Sequence, residues 1–202
     1  MSLITNALTT KTRITERLVN YNSSFDGLIE NLINGVSIFI ENQCNKKFVK
    51  NTYTNELYNG NDCNYTDKLF LKNFPIITIT KIEYRSNDDP EEWTTYETDT
   101  YLIEYDIGCI KLKETFIPSG IQNIRVTYDA GYKVDWTNYT DTTKHTLPFD
   151  LTDICNKLVI KEFKKRESIG KQNENIGGVS INWSNMIDDE VQTVINFYKK
   201  II

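Results

Sequence analysis

The 202-residue sequence has a single histidine, and no apolar run in it approaches the roughly 20 residues of a membrane span. Residues 1–10 lack a basic region followed by an apolar stretch, so the chain is expected to stay where it is made and to meet no membrane. Cys44, Cys63, Cys109 and Cys155 are scattered without a Cys-x-x-Cys pair. That spacing speaks against a zinc knuckle or a compact disulfide framework and for free thiols in a reducing cytosol. Also missing are the G-x-x-x-x-G-K-[ST] phosphate loop, the G-x-S-x-G elbow, the G-x-G-x-x-G turn and the H-E-x-x-H helix. A Ser-His-Asp or Cys-His arrangement would have to be built around His145 alone, and this residue, with no flanking motif, reads as an exposed loop histidine. No catalytic residue, cofactor site or metal site is expected, and the chain reads as a non-enzyme. Positive charge is in deficit too, with 23 basic against 28 acidic side chains and a net charge of −5. The phosphate-neutralising attraction behind ordinary DNA affinity is therefore unavailable to the protein as a whole.

What is present is the composition of a folded protein. Hydrophobic residues make up 39% and charged residues 25%, well away from the disordered regime. From Phe25 to Cys44, the residues Phe25, Leu28, Ile29, Leu32, Ile33, Val36, Phe39 and Ile40 recur at helical spacing, with Ser23 or Ser24 as the expected cap. A weaker pattern from Leu3 to Val19 leaves a further short helix open. From Phe48 to Tyr132 the texture turns to Tyr, Thr, Ile and Phe broken by turn residues, which predicts strands near 52–58, 68–72, 76–85 and 100–105. Ile110 with Leu112, and Ile124, Val126 and Tyr128 against Asn123, Arg125 and Thr127, alternate in the same way. Without helical crossovers the sheet should be mainly antiparallel.

Pro148 and Asp150 then open a helix whose buried stripe is Leu151, Ile154, Cys155 and Leu158 and whose other face carries Lys157, Lys161 and Lys164. Those lysines are candidates for a surface facing DNA in a channel, although a solvated face is the ordinary reading. Val179, Ile181 and Trp183 alternate after Gly177 and Gly178 as a short strand or extended arm, and Ser184 or Asn185 is expected to cap a last helix. The carboxylates at 88–92 read as a solvated hairpin tip, and Asp188, Asp189 and Glu190 as a helix start. The fold class is therefore α+β: a helical body of N- and C-terminal helices, a mainly antiparallel β-rich insertion between them, and a C-terminal extended arm. In these terms residues 1–47 form an N-terminal helical segment, 48–132 the β-rich region and 133–147 a linker loop. Residues 148–169 form a helix packing on the N-terminal one, and 170–202 the arm and last helix, all within one structural domain.

Six stretches in this order carry a resemblance. They are Phe39-Ile-Glu-Asn-Gln-Cys-Asn-Lys-Lys-Phe48, Lys68-Leu-Phe-Leu-Lys-Asn-Phe-Pro-Ile-Ile-Thr-Ile-Thr80 and Tyr101-Leu-Ile-Glu-Tyr-Asp-Ile-Gly-Cys-Ile-Lys-Leu112, then Ile124-Arg-Val-Thr-Tyr-Asp-Ala-Gly-Tyr132, Leu147-Pro-Phe-Asp-Leu151 and Ile176-Gly-Gly-Val-Ser-Ile181. Together they resemble the gp6-like head-tail connector family of tailed phages, the adaptor or ring proteins of the neck. The chain departs from that family in a longer stretch from Lys133 to Thr146, and in Lys46-Lys47 where an arginine is common.

The resemblance implies a structural head-to-tail connector of the virion neck, assembled in the host cytoplasm. It would form a dodecameric ring of its own copies under the portal protein, dock a downstream tail or neck protein, and let double-stranded DNA pass without specific binding. An acidic wall suits such passage, and a head-to-tail contact of the right rotation closes into a ring. The expected portal or subunit contact is Ile176, Val179, Ile181 and Trp183 with Val191, Ile195 and Tyr198 of the last helix. The alternatives are a tail-completion protein on the tail side of the joint, a β-rich binding module using Tyr53, Tyr58, Tyr65, Trp93, Tyr96 and Tyr101, and last a hydrolase using the carboxylate clusters.

Overall fold

The computed structural model describes residues 2–19, 21–60, 67–85, 92–165, 173–176, 179–182 and 187–199. They belong to two compact units, one formed by 1–49 with 133–202 and the other by 50–132. The fold is α+β, with all strand pairs antiparallel.

The β-rich unit contains β1 (Asn51–Gly60), β2 (Lys68–Phe70), β3 (Ile76–Tyr84), β4 (Thr94–Thr95), β5 (Tyr101–Glu104), β6 (Cys109–Leu112) and β7 (Gly120–Ala130). They form a four-stranded sheet in the order β1-β7-β3-β4 and a three-stranded sheet in the order β2-β6-β5. One apolar core serves both sheets: Ile82, Ile124, Val126 and Tyr128 come from the larger, and Leu69, Tyr101, Ile110 and Leu112 from the smaller. The alternation along β7 explains this, because period-two side chains at 124, 126 and 128 share a face. Asn123 departs from that pattern and is buried. Gln122 beside it has φ 51°, and the register slips between Tyr58 and Gly60. The slip turns the Asn123 amide inward, where Oδ1 accepts from Gly60 N at 2.8 Å and Nδ2 donates to Pro118 O at 2.8 Å. A second irregularity, at Asn55 with φ 53°, lets Glu56 reach two buried phenols. Tyr58 and Tyr128 donate to its carboxylate at 2.5 and 2.6 Å.

The helical unit contains α1 (Lys11–Thr15), α2 (Asp26–Cys44), α3 (Phe149–Lys165), the antiparallel strand pair β8 (Asn173–Ile176) and β9 (Val179–Asn182), and α4 (Asp189–Tyr198). The weakly patterned N-terminal segment thus holds only α1, capped by Thr10. A 3-10 turn at Ser23–Phe25 leads into α2, and its cap is Asn22, whose side chain accepts from Ser24 N at 2.8 Å, rather than Ser23 or Ser24. Likewise α4 is capped by Asp188, accepting from Val191 N at 3.0 Å, and not by Ser184 or Asn185. Ile29, Ile33, Val36 and Ile40 of α2 are buried together with Leu151, Ile154, Leu158 and Val159 of α3. Helix α3 packs on α2 as the matching stripes require, and α4 contacts both. Buried polar groups tie the layers: Ser37 accepts from Leu8 N at 3.0 Å, and Thr9 donates to Asn156 Oδ1 at 2.6 Å.

At the end of α2 the run beginning at Phe39 gains a physical meaning. Glu41 is buried, and its carboxylate accepts from Asn6 Nδ2 at 2.8 Å, Lys47 Nζ at 2.7 Å and Phe48 N at 3.3 Å. Asn45 in the left-handed conformation, φ 49°, reverses the chain so that these donors converge. Lys47 is the cation that this carboxylate binds.

Candidate interaction surfaces

The seven residues expected to meet a partner are not alike in the structure. Val191 and Ile195 of α4 are buried, and the Cys44 thiol donates to the Ile195 carbonyl at 3.7 Å. These two side chains fill the core of the helical unit and are covered within the single chain while α4 stays folded. The amphipathic spacing that suggested a docking face is satisfied within the chain. Tyr198 is half-buried, its hydroxyl donating to the Asp150 carboxylate at 2.9 and 3.0 Å and its ring edge-on to Phe48. The apolar side chain that α4 does present is Phe197, 79% exposed. Ile176, Val179 and Ile181 lie on the β8–β9 pair, with Ile176 opposite Val179 and Glu174 opposite Ile181. Trp183, Gly177 and Gly178 fall outside the described residues.

The three lysines of α3 also separate. Lys157 bridges two helices, holding Glu190 at 2.5 Å and Asp153 at 3.1 Å, and these partners raise its pKa. Lys161 is half-buried and Lys164 exposed. Lys157 is thus engaged in ion pairs at the surface between α3 and α4. Of the carboxylates at 88–92 only Glu92 is described; Asp188 and Glu190 serve as helix cap and ion-pair partner. Among the described residues no three His, Cys, Asp or Glu side chains gather as metal ligands, and no helix is long and apolar enough to cross a membrane.

Aromatics in the β-rich unit are engaged with one another. Tyr53 stacks on Tyr128 at 5.2 Å and Tyr96 tilts onto Tyr84 at 4.5 Å, while Tyr58 and Tyr101 are buried. Trp93 lies between the guanidinium groups of Arg85 and Arg125, at 5.0 and 4.2 Å. Arg125 in turn clamps the buried Glu83 carboxylate at 2.6 and 2.8 Å, and those hydrogen bonds hold that carboxyl down to about 2. Tyr65 falls outside the described residues. Those of the aromatics that are described are engaged in packing and ring contacts within the unit.

One grouping was not announced by the sequence. The polar stretch after Lys133 folds back on itself, with Thr146 accepting from Lys133 N at 2.9 Å and Thr146 N donating to Lys133 O at 2.8 Å. Asp135 accepts from Thr137 N and Asn138 N, which sets an Asx turn. His145 is not an exposed loop residue: it is half-buried, its Nδ1 accepts from Asp135 N at 3.2 Å, and Trp136 lies 4.8 Å away. Burial depresses the His145 pKa, and the charge of Arg13 adds to the depression. Around Arg13 stand Tyr139, Trp136 and Phe149, at 4.4, 5.6 and 6.0 Å. Two adjoining cavities of about 400 and 470 Å³ share Arg13, Tyr139 and Phe149 in their walls. Aromatic residues inside a Thr- and Asp-rich loop were the only sign of this site in the sequence.

Comparison with known proteins gives a consistent result. A family model described as head completion protein matches residues 7–201. Among solved structures, a chain from the neck of the empty GTA particle, computed with C6 symmetry, aligns with a TM-score of 0.54 at 14% identity, covering 88% of this chain and 80% of that one. A chain from the neck of the native GTA particle, computed with C12 symmetry, gives 0.52 at 14% identity, covering 89% and 86%. One from the virion of the native gene transfer agent particle gives 0.53 at 13% identity, covering 100% and 94%. None of the curated proteins compared with the chain matches it. At such identities the structural likeness establishes the fold.

Proposed function

We infer, since this chain belongs to the head completion protein family, that it is a structural connector at the head-to-tail joint of a tailed phage or phage-like particle. In that place copies of it form a ring beneath the portal, extend the DNA channel and present a surface to the next neck or tail protein. The observation that carries this reading is the family match over residues 7–201, joined to a fold shared with chains of GTA particle necks computed with C6 or C12 symmetry. A head-to-tail contact repeated with a rotation that closes needs two complementary surfaces on each copy and no symmetric patch. The net charge of −5 suits a wall along which a polyanion slides without being held. The contact with the portal or a neighbour is assigned to the β8–β9 pair, which carries Ile176, Val179 and Ile181, together with the exposed Phe197 of α4.

The test is mass photometry of the purified full chain, alone and mixed with the portal of its own virus. Growth on the portal by about a dozen subunits, as C12 symmetry would give, is expected. A monomer indifferent to the portal would refute the reading. Replacing Val179 and Ile181 by serine should weaken that growth. Truncation after Gly170 is a poor substitute, because it also removes Val191 and Ile195 from the core.

A further inference from the structure

We propose that the cleft at Arg13 receives a carboxylate from a second copy of this chain, so that it forms one half of the contact between neighbours; the proposal rests on the ring reading above. Arg17 and Arg125 each hold a carboxylate, Asp153 at 2.9 Å and Glu83 at 2.6 Å. Arg13 holds none among the described residues, and its guanidinium is backed by rings instead. A guanidinium stacked on aromatics keeps its edge free, and that edge is the part that forks onto a carboxylate.

The walls suit such a guest. Tyr139 is 53% exposed and Phe149 66%, which is a large apolar area to leave in water beside a cation. His145 accepts a backbone N–H at Nδ1, so its own proton sits on Nε2 as a further donor. Among the described residues Arg13 is the one formally charged side chain lining the first cavity, while in the second Arg17 is already paired with Asp153 and Glu16 stands near Arg13. A space of about 400 Å³ lies at the small end of ligand pockets and suits one acidic side chain with its apolar neighbour. The loop is fastened at both ends by the Lys133–Thr146 pair, so little order has to be imposed on binding.

The partner follows from charge. A cavity whose arginine holds no carboxylate among the described residues, on a chain with 28 acidic and 23 basic side chains, is complementary to the rest of its own surface. Neighbours in a closed ring present unlike faces to each other, so a cationic cleft on one face can meet carboxylates on the next copy. Clusters of Arg, Tyr and Trp are also the residues that most often dominate interface energies.

The test uses the full chain assembled in its own neck from a mixture of isotope-labelled and unlabelled copies, with Tyr139 replaced by p-benzoylphenylalanine. Irradiation is expected to join that position to an Asp- or Glu-bearing peptide of the other copy. In parallel, Arg13→Glu is expected to raise the concentration for half-assembly by about tenfold or more, with Arg13→Lys in between. If Arg13→Glu does not fold, Tyr139→Ala carries the same expectation. Cross-links only to the portal or another neck protein, or assembly of Arg13→Glu at the wild-type concentration, would overturn the proposal and leave the ring reading standing. A wild-type chain that builds no ring would remove both.

Discussion

Glu41 offers the sharpest test of how the helical unit is held. Its side chain is 1% exposed and is the common acceptor for Asn6, Lys47 and the backbone of Phe48. In Glu41→Ala the Phe48 N–H is left buried without a partner, which costs roughly 1–3 kcal/mol, and the part-buried Asn6 amide adds about 1 kcal/mol. Lys47 is 56% exposed and recovers water, so its share is at most about 1 kcal/mol. A total near 4 kcal/mol follows, close to what breaking a buried charge network costs. At about 2–4 °C per kcal/mol for a chain of this size, the helical signal should melt about 8–16 °C earlier. Glu41→Gln keeps an acceptor for Phe48 N and loses mainly the attraction for an exposed lysine, so its shift should be no more than about a third as large. Thermal melts followed by far-UV circular dichroism decide the matter. An alanine variant within about 2 °C of the wild type, or a glutamine variant as damaged as the alanine one, would refute the reasoning.

Other expectations rest on separate contacts. The folded-state pKa of Glu83 lies near 2 against an ordinary 4.5, chiefly through Arg125, so its stabilising contribution is present above about pH 4.5 and lost as pH falls toward 2. Urea midpoints should drop through that window in the wild type and less steeply in Glu83→Gln. A Cβ at Gly60 would lie 1.7 Å from the Pro118 carbonyl oxygen, a backbone atom, so Gly60→Ala should cost more than about 3 kcal/mol by chemical denaturation; a loss under about 1 kcal/mol would contradict the packing. Burial pushes the thiols of Cys44 and Cys155 up to about 11 and 12. Iodoacetamide at neutral pH followed by peptide mapping should leave both unmodified in the native protein and label both in denaturant.

Much of this protein was determined by sequence alone, because periodicity is a local property. The stripe of Ile29, Ile33, Val36 and Ile40, the stripe of Leu151, Ile154 and Leu158, and the alternation of Ile124, Val126 and Tyr128 each state which face is buried, and the structure buries those faces. The ordered set of short motifs also pointed to the phage connector class, in agreement with the family match. Caps were a different matter. Ser23, Ser24 and Asn22 are all competent, as are Ser184, Asn185 and Asp188, and the residue that caps is the one standing where packing starts the first turn. Asn123 broke the strand pattern because a register slip, set by the pairing of β1 with β7, turns its amide inward.

Tertiary structure alone decided what the polar side chains do. It pairs Lys157 with Glu190 and Asp153, and it sends Val191 and Ile195 into the core of the helical unit. It also brings Arg13 to Trp136, Tyr139 and Phe149, which lie more than a hundred residues further along the chain. A hydrophobic pattern reports which face is buried and not what it is buried against, and a charge in the sequence carries no record of its partner. Those pairings are long-range contacts, fixed only once the helices have packed.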